Sequence, residues 1–142
     1  MTHTARITKT LSANDIGETG AHQAGILVPK EPAILSFFPF LDPDAKNPRV
    51  SLTFREPDGI TRWNFNFIYY NNRFFGGTRN EYRLTCMTRY LRARNAAVGD
   101  QVVLSKDGDG RLHVDVERPG APAAGGDDDV LVLSGGWKVI RI

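Results

Sequence analysis

The chain has 142 residues, a formal net charge of +2 and 41% hydrophobic residues, enough for one domain (1–142) with its own core and too few for two of ordinary size. No stretch reaches the ~20 apolar residues of a membrane span and the N-terminus lacks a signal-peptide apolar segment, so a soluble intracellular protein with no membrane partner is expected. The single cysteine, Cys86, excludes an internal disulfide and a cysteine-based zinc site, and His3, His22 and His113 have no ligand spacing.

In chain order, residues 6–11 and 24–28 read as short strands joined by a long polar, glycine-punctuated loop, which on the residues alone is a hairpin connection. Residues 31–38 read as a helix, with Pro32 near its start, Ile34, Leu35 and Phe38 on its apolar face, and Pro39 as its stop. Alternation then predicts a hairpin: Val50, Leu52 and Phe54 share one face of 49–55. Trp63, Phe65, Phe67 and Tyr69 share one face of 61–69, opposite Asn64 and Asn66, with Pro57-Asp58-Gly59 as the turn. The strand aromatics, together with Phe74 and Phe75, are expected to fill the core rather than form a base-stacking platform, which would carry basic residues between the rings.

The segment 71–83, N-N-R-F-F-G-G-T-R-N-E-Y-R, sets three arginines and one glutamate around Gly76-Gly77 and is read as a loop. Arginine offers a planar fork to guanine O6 and N7, asparagine pairs with adenine, and glutamate accepts from cytosine N4. From 71 to 94 six arginines (Arg73, Arg79, Arg83, Arg89, Arg92, Arg94) face one acid, Glu81, whereas from 107 to 129 seven acids face Arg111 and Arg118. A basic patch of this kind attracts polyanions and releases their counterions. The residues alone leave a second reading open, in which Arg79 and Arg83 pair with Glu81 or with the acidic half of the protein's own surface.

Residues 85–94 read as a second short helix with Met87, Tyr90 and Leu91 inward; 101–105 and 111–117 form another hairpin with Leu112, Val114 and Val116 inward; 118–129 is a flexible Pro/Gly/Asp-rich connection; and 130–133 and 137–142 are strands. Seven to eight short strands and two short helices predict a mainly β barrel or sandwich. No catalytic constellation is found. Asp107 with Asp109 lacks the downstream glutamate of a calcium loop, Asp127 to Asp129 is a solvated run, and no strand offers two acids followed by a lysine.

Two runs, K-T-L-S-A-N-D-I-G-E-T-G-A-H-Q-A-G-I-L-V-P (9–29) and I-Y-Y-N-N-R-F-F-G-G-T-R-N-E-Y-R-L-T (68–85), together 39 residues, resemble the N-terminal effector-binding domain of EcoRII-type (type IIE) restriction endonucleases. V-G-D-Q-V-V-L (98–104) resembles the start of a strand common in that fold. The resemblance implies an open DNA-binding pseudobarrel of the plant B-three type that grips double-stranded DNA in the major groove between two loop arms. Carried over by position, it implies DNA contacts from Ser12, Asn14, Asp15, His22 and Gln23 in the first arm. In the second arm it implies contacts from Arg73, Gly77, Thr78, Arg79, Asn80, Glu81, Tyr82 and Arg83. Gly77 and Tyr82 stand where the family has lysines and Leu27 where it has a tyrosine, so fewer phosphate contacts are expected. It further implies a G·C-rich, CCWGG-like site, no cofactor, a monomeric domain without catalysis of its own, a nuclease domain in the same polypeptide, and a prokaryotic cytoplasmic, nucleoid-associated setting. A protein-interaction module and a nucleic-acid-acting enzyme without a recognised motif are the rival readings.

Overall fold

The computed structural model describes residues 3–16, 25–118, 130–132 and 136–140. Within them the alternating segments become nine strands: β1 His3–Thr10, β2 Ile26–Val28, β3 Arg49–Arg55, β4 Arg62–Tyr70, β5 Glu81–Thr85, β6 Gln101–Asp107, β7 Leu112–Glu117, β8 Val130–Val132 and β9 Trp137–Ile140. Two helices, α1 Pro32–Leu35 and α2 Thr88–Ala93, are shorter than the sequence predicts. All strands join one sheet in the order β2-β5-β4-β3-β7-β6-β1-β9-β8. Its pairings are antiparallel except for the β3–β7 contact, Phe54 with Leu112 and Arg55 with His113.

The mainly β, two-helix pseudobarrel is thus the architecture, with one strand more than the sequence predicts. The addition is β5, which lies in the segment read as an arginine loop. Its alternation was present but masked by charge: Tyr82 and Leu84 turn to the core while Glu81 and Arg83 turn away. Register then carries the pattern across the sheet. Phe67 stands opposite Val50 on one side and Leu84 on the other, and Tyr69 stands opposite Tyr82.

The core side of these strands is a ladder of rings. Phe38 stacks on Phe67 at 4.4 Å, Phe67 on Tyr82 at 5.6 Å and Tyr82 on Tyr69 at 4.3 Å between centroids. Such pairs contribute roughly 0.5–1.5 kcal/mol each beyond area burial, so β4 and β5 are locked in register where the second arm leaves and returns. Met87, Tyr90 and Leu91 of the α2 region are buried as expected, Tyr90 edge-on to Trp63 and Phe65. Phe74 and Phe75 are not core residues: they are 64% and 46% exposed, because sheet alternation stops at Tyr70 and a 3-10 turn over Asn72–Phe75 swings both rings off the sheet.

The two ends of the strand order are brought together by β9. Trp137 is buried and its indole Nε1 donates to the Leu27 carbonyl of β2 at 3.0 Å, covering an edge strand that among the described residues otherwise pairs only with β5. The connection expected to be flexible, 118–129, lies outside the described residues apart from Arg118, which pairs with the buried Asp100 at the start of β6.

Part of the acidic half is structural. The buried Asp107 carboxylate ends β6 by accepting from the Asp109 and Arg111 backbone N–H groups at 2.9 and 3.1 Å, and pairs with His113 Nε2 at 2.8 Å. Those contacts, the His113 bond foremost, lower its pKa from 3.8 to about 2. A carboxylate whose folded pKa is depressed adds stability above its unfolded pKa and loses it as pH falls toward the folded value. Asp107→Asn is therefore expected to lower the melting temperature at pH 7 and to flatten the stability loss between about pH 4 and pH 2. Equal melting temperatures and equal acid profiles for the two proteins would refute this role.

Candidate nucleic-acid interface

The second arm, residues 71–80, leaves the end of β4 and returns into β5. Its root is fixed by Asn71, which is fully buried. The Asn71 amide donates to the Pro43 and Ala45 carbonyls at 3.0 and 2.7 Å, and its Oδ1 accepts from the Asn47 N–H at 2.7 Å. Asn72 braces the arm from inside by accepting the Arg79 N–H at 2.8 Å, while the Arg73 N–H donates to the Arg79 carbonyl at 2.9 Å. Gly76 takes a left-handed conformation (φ +93°), and a Cβ on Gly77 would lie 2.8 Å from the Asn72 side chain. A lysine at Gly77, where the family resemblance places one, would have to displace the Asn72 side chain that braces the arm. Tyr69 completes the brace by donating its hydroxyl to Asn80 Oδ1 at 2.7 Å.

From this base three charged side chains form one constellation on the face of β5 away from the core. Glu81 accepts from Arg83 Nε at 2.5 Å and from Arg79 Nε at 3.4 Å, one carboxylate oxygen each. The Arg79 guanidinium lies over the Tyr70 ring, 3.8 Å from its centroid. Arg83 also donates from Nη1 to the Gly25 carbonyl at 3.2 Å, at the root of the first arm. Thus both arginines pair with Glu81, as the second reading has it, and among the described residues not with the acidic half. Arg83 is the more committed, its side chain 15% exposed against 39% for Arg79.

Tyr82 does not belong with these groups. It alternates to the opposite face, where it stacks on Phe67 and Tyr69 and supports the strand, and burial there pushes its phenol pKa up. Arg73 and Thr78 are exposed on the arm.

The first arm starts from Lys9 and Leu11. The Ser12 N–H donates to Asp15 Oδ2 at 2.9 Å, the Asp15 N–H donates to Ser12 Oγ at 3.3 Å, and Lys9 Nζ meets Asp15 Oδ2 at 3.0 Å. Asp15 therefore shapes the arm's bend, while Ser12 and Asn14 are exposed on it. His22 and Gln23 lie outside the described residues. The arm rejoins the sheet at Gly25, which needs its missing side chain: at φ +83°, a Cβ would fall 2.0 Å from the Leu84 carbonyl oxygen of β5. The two arm roots thus meet at one strand.

Not every arginine of the basic stretch is available. Arg94 is held by Glu56 at 2.9 Å and Asp115 at 2.7 Å, and is removed from the patch. Arg89 and Arg92 are exposed on α2. Sequence reasoning missed Tyr70, and it missed Arg49 and Arg62, exposed on the outer face of β3 and β4. The signal was parity: Arg49 pairs with Ile68, Ile68 with Arg83 and Tyr70 with Glu81, so these residues share the face of Glu81 and Arg83 once β5 is a strand.

The family model described as "Restriction endonuclease EcoRII, N-terminal" matches residues 1–107. Type II restriction enzyme EcoRII of Escherichia coli is 43% identical over 83 residues, covering 54% of this chain and 19% of the enzyme, so the chain spans about a fifth of that relative. Among solved structures, the B3 domain of UbaLAI restriction endonuclease with cognate DNA superposes with a TM-score of 0.59 at 23% identity, covering 97% of this chain and 87% of that one. An Arabidopsis FUS3–DNA complex gives a TM-score of 0.60 at 19% identity, covering 78% and 94% of the two chains. The nine-stranded sheet is accordingly the B3-type fold, and with most of its length matched by the family model, the chain belongs to the EcoRII N-terminal domain family.

Proposed function

We propose that this chain recognises a specific double-stranded DNA sequence through the major groove, with the Arg79–Glu81–Arg83 constellation as its reader and the first arm as the second jaw. The observation that carries the reading is the joining of the jaws at β5, where one guanidinium, Arg83, bonds both Glu81 and the first-arm carbonyl of Gly25. Glu81 occupies the Nε of each arginine, which leaves the Nη pair of Arg79 for the bidentate approach to guanine O6 and N7. Each Glu81 oxygen keeps a second lone pair able to accept from cytosine N4. Arg73, Arg89 and Arg92 supply exposed charge for phosphates, and Ser12, Asn14, His22 and Gln23 remain the first-arm candidates.

In this reading the site is G·C-rich and CCWGG-like, and the domain acts as the effector or target-recognition part of a restriction endonuclease whose nuclease domain lies elsewhere in the polypeptide; the match to the EcoRII N-terminal family model supports it. In this reading the domain is monomeric, needs no cofactor and does not cleave. The rival of a protein-binding acidic face loses support from Asp107 and Asp115, which are committed to His113 and Arg94.

The test is a fluorescence-anisotropy titration of a CCWGG duplex, a scrambled duplex and the single strands, with plasmid cleavage in Mg²⁺ run alongside. A preference of about 10³-fold or more for one duplex sequence, without nicking, is expected. Equal affinity for all duplexes, or cleavage by the chain alone, would overturn the reading.

A further inference from the structure

We propose that Tyr70 is a positioning residue of the reader: its ring holds the Arg79 guanidinium flat, and discrimination at the base pair read by Arg79 depends on that platform. This inference rests on the DNA-reading function above. Its geometry is independent of the family comparison.

The two reader arginines are held in different ways. The Arg83 side chain is largely buried and has, among the described residues, two hydrogen bonds, at 2.5 Å to Glu81 and 3.2 Å to Gly25. The Arg79 side chain, the more exposed, has among the described residues one hydrogen bond, at 3.4 Å, the outer edge of a productive N–H···O distance. An exposed ion pair at that separation does little to fix a side chain with arginine's rotamer freedom. The Tyr70 ring at 3.8 Å lies well inside the ~6 Å range of cation–π attraction.

The contacts act on different coordinates. A ring face beneath a planar guanidinium fixes its tilt, and the Glu81 contact on Nε fixes its rotation within that plane. Together they define where the Nη edge sits. A two-point contact with a guanine edge requires both, because a fork tilted out of the base plane reaches O6 or N7 but not the two together. Tyr70 stands where it can do this because it is the last residue of β4 and the register partner of Glu81, so ring, carboxylate and guanidinium share one end of one sheet face. The platform inherits rigidity from Asn71, the next residue, whose buried amide is fully engaged. Arginine ordering that is completed before DNA arrives is not charged against binding.

The experiment measures affinities of Tyr70→Phe and Tyr70→Leu for a set of duplexes carrying all four base pairs at each site position. Each is made in the native and Arg79→Ala backgrounds, with melting curves to confirm folding. Tyr70→Phe is expected to match the native protein within twofold. Tyr70→Leu is expected to lose about two- to fivefold of discrimination at the Arg79 base pair alone, and to add nothing once Arg79 is alanine. Should the Leu variant fail to fold, pentafluorophenylalanine at position 70, with the ring's shape kept and its electrostatics inverted, is compared with phenylalanine instead and is expected to show the same loss. A loss in Tyr70→Phe equal to that in Tyr70→Leu would assign the effect to a hydroxyl contact and overturn the proposal. So would a Leu effect that persists in the Arg79→Ala background. If Arg79→Ala itself leaves discrimination intact, the reader function falls; if Arg79→Ala relaxes one base pair and Tyr70→Leu changes nothing, only the platform does.

Discussion

Trp137→Ala is expected to lower the unfolding free energy by about 3 to 5 kcal/mol, the range for truncating a buried indole, and to do so without touching either arm's reader side chains. Trp137 is 1% exposed and stands opposite Lys9 in the β1–β9 register, while its N–H reaches across to the Leu27 carbonyl of β2. Removal leaves a cavity where the curled sheet meets its own edge and strips the only described indole bond to β2. Trp137→Phe keeps most of the volume and loses the donor, so a smaller loss of about 1 to 2 kcal/mol is expected. Urea melts give both values. A loss below about 1 kcal/mol for the alanine variant would mean that closure at β2 is maintained by other contacts. Because Leu27 follows Gly25 by two residues, amide exchange in β2 is expected to accelerate in the alanine variant more than exchange in β6 and β7.

Arg79→Ala is expected to cost about 1 to 3 kcal/mol on the cognate duplex and to relax preference at one base pair. Arg92→Ala, on the exposed face of α2, is expected to weaken every duplex alike and to reduce the salt dependence of binding by roughly one unit of slope. The two arginines differ in setting: Arg79 is oriented by Glu81 and Tyr70, whereas the Arg92 side chain is exposed and has no hydrogen bond or ion pair among the described residues, its backbone carbonyl accepting from the Asn95 N–H at 3.1 Å and from the Arg94 N–H. Titrations against the base-pair variants at two salt concentrations separate them. Identical behaviour of both variants would erase the division into base readers and phosphate anchors.

Much of this molecule was legible from its periodicity. Phe65, Phe67 and Tyr69 are buried on one side of β4, and Val114 and Val116 on one side of β7, because a half-buried strand must alternate. The failures have equally local causes. In 71–83 the charged residues dominated, and the apolar alternation of Tyr82 and Leu84 is only two residues long, too brief to declare a strand without its neighbour β4. Phe74 and Phe75 sit beyond the point where alternation has meaning, since the chain has already turned into a 3-10 arc. Arg94 looked like its arginine neighbours, and only the tertiary approach of Glu56 and Asp115 withdraws it. The same holds for Trp137 and Leu27, 110 residues apart, and for the ring beneath Arg79. Residue chemistry singled out Arg79, Glu81 and Arg83; their arrangement was decided by strand register.

The central claim is contact between these arms and the floor of the major groove, and methylation interference addresses it directly. Dimethyl sulfate places a methyl group on guanine N7 in the major groove and on adenine N3 in the minor groove. Binding is expected to select against duplexes methylated at guanine N7 within the recognised site, with one such guanine losing its effect in the Arg79→Ala variant. Interference confined to adenine N3, or none at any guanine, would contradict the account.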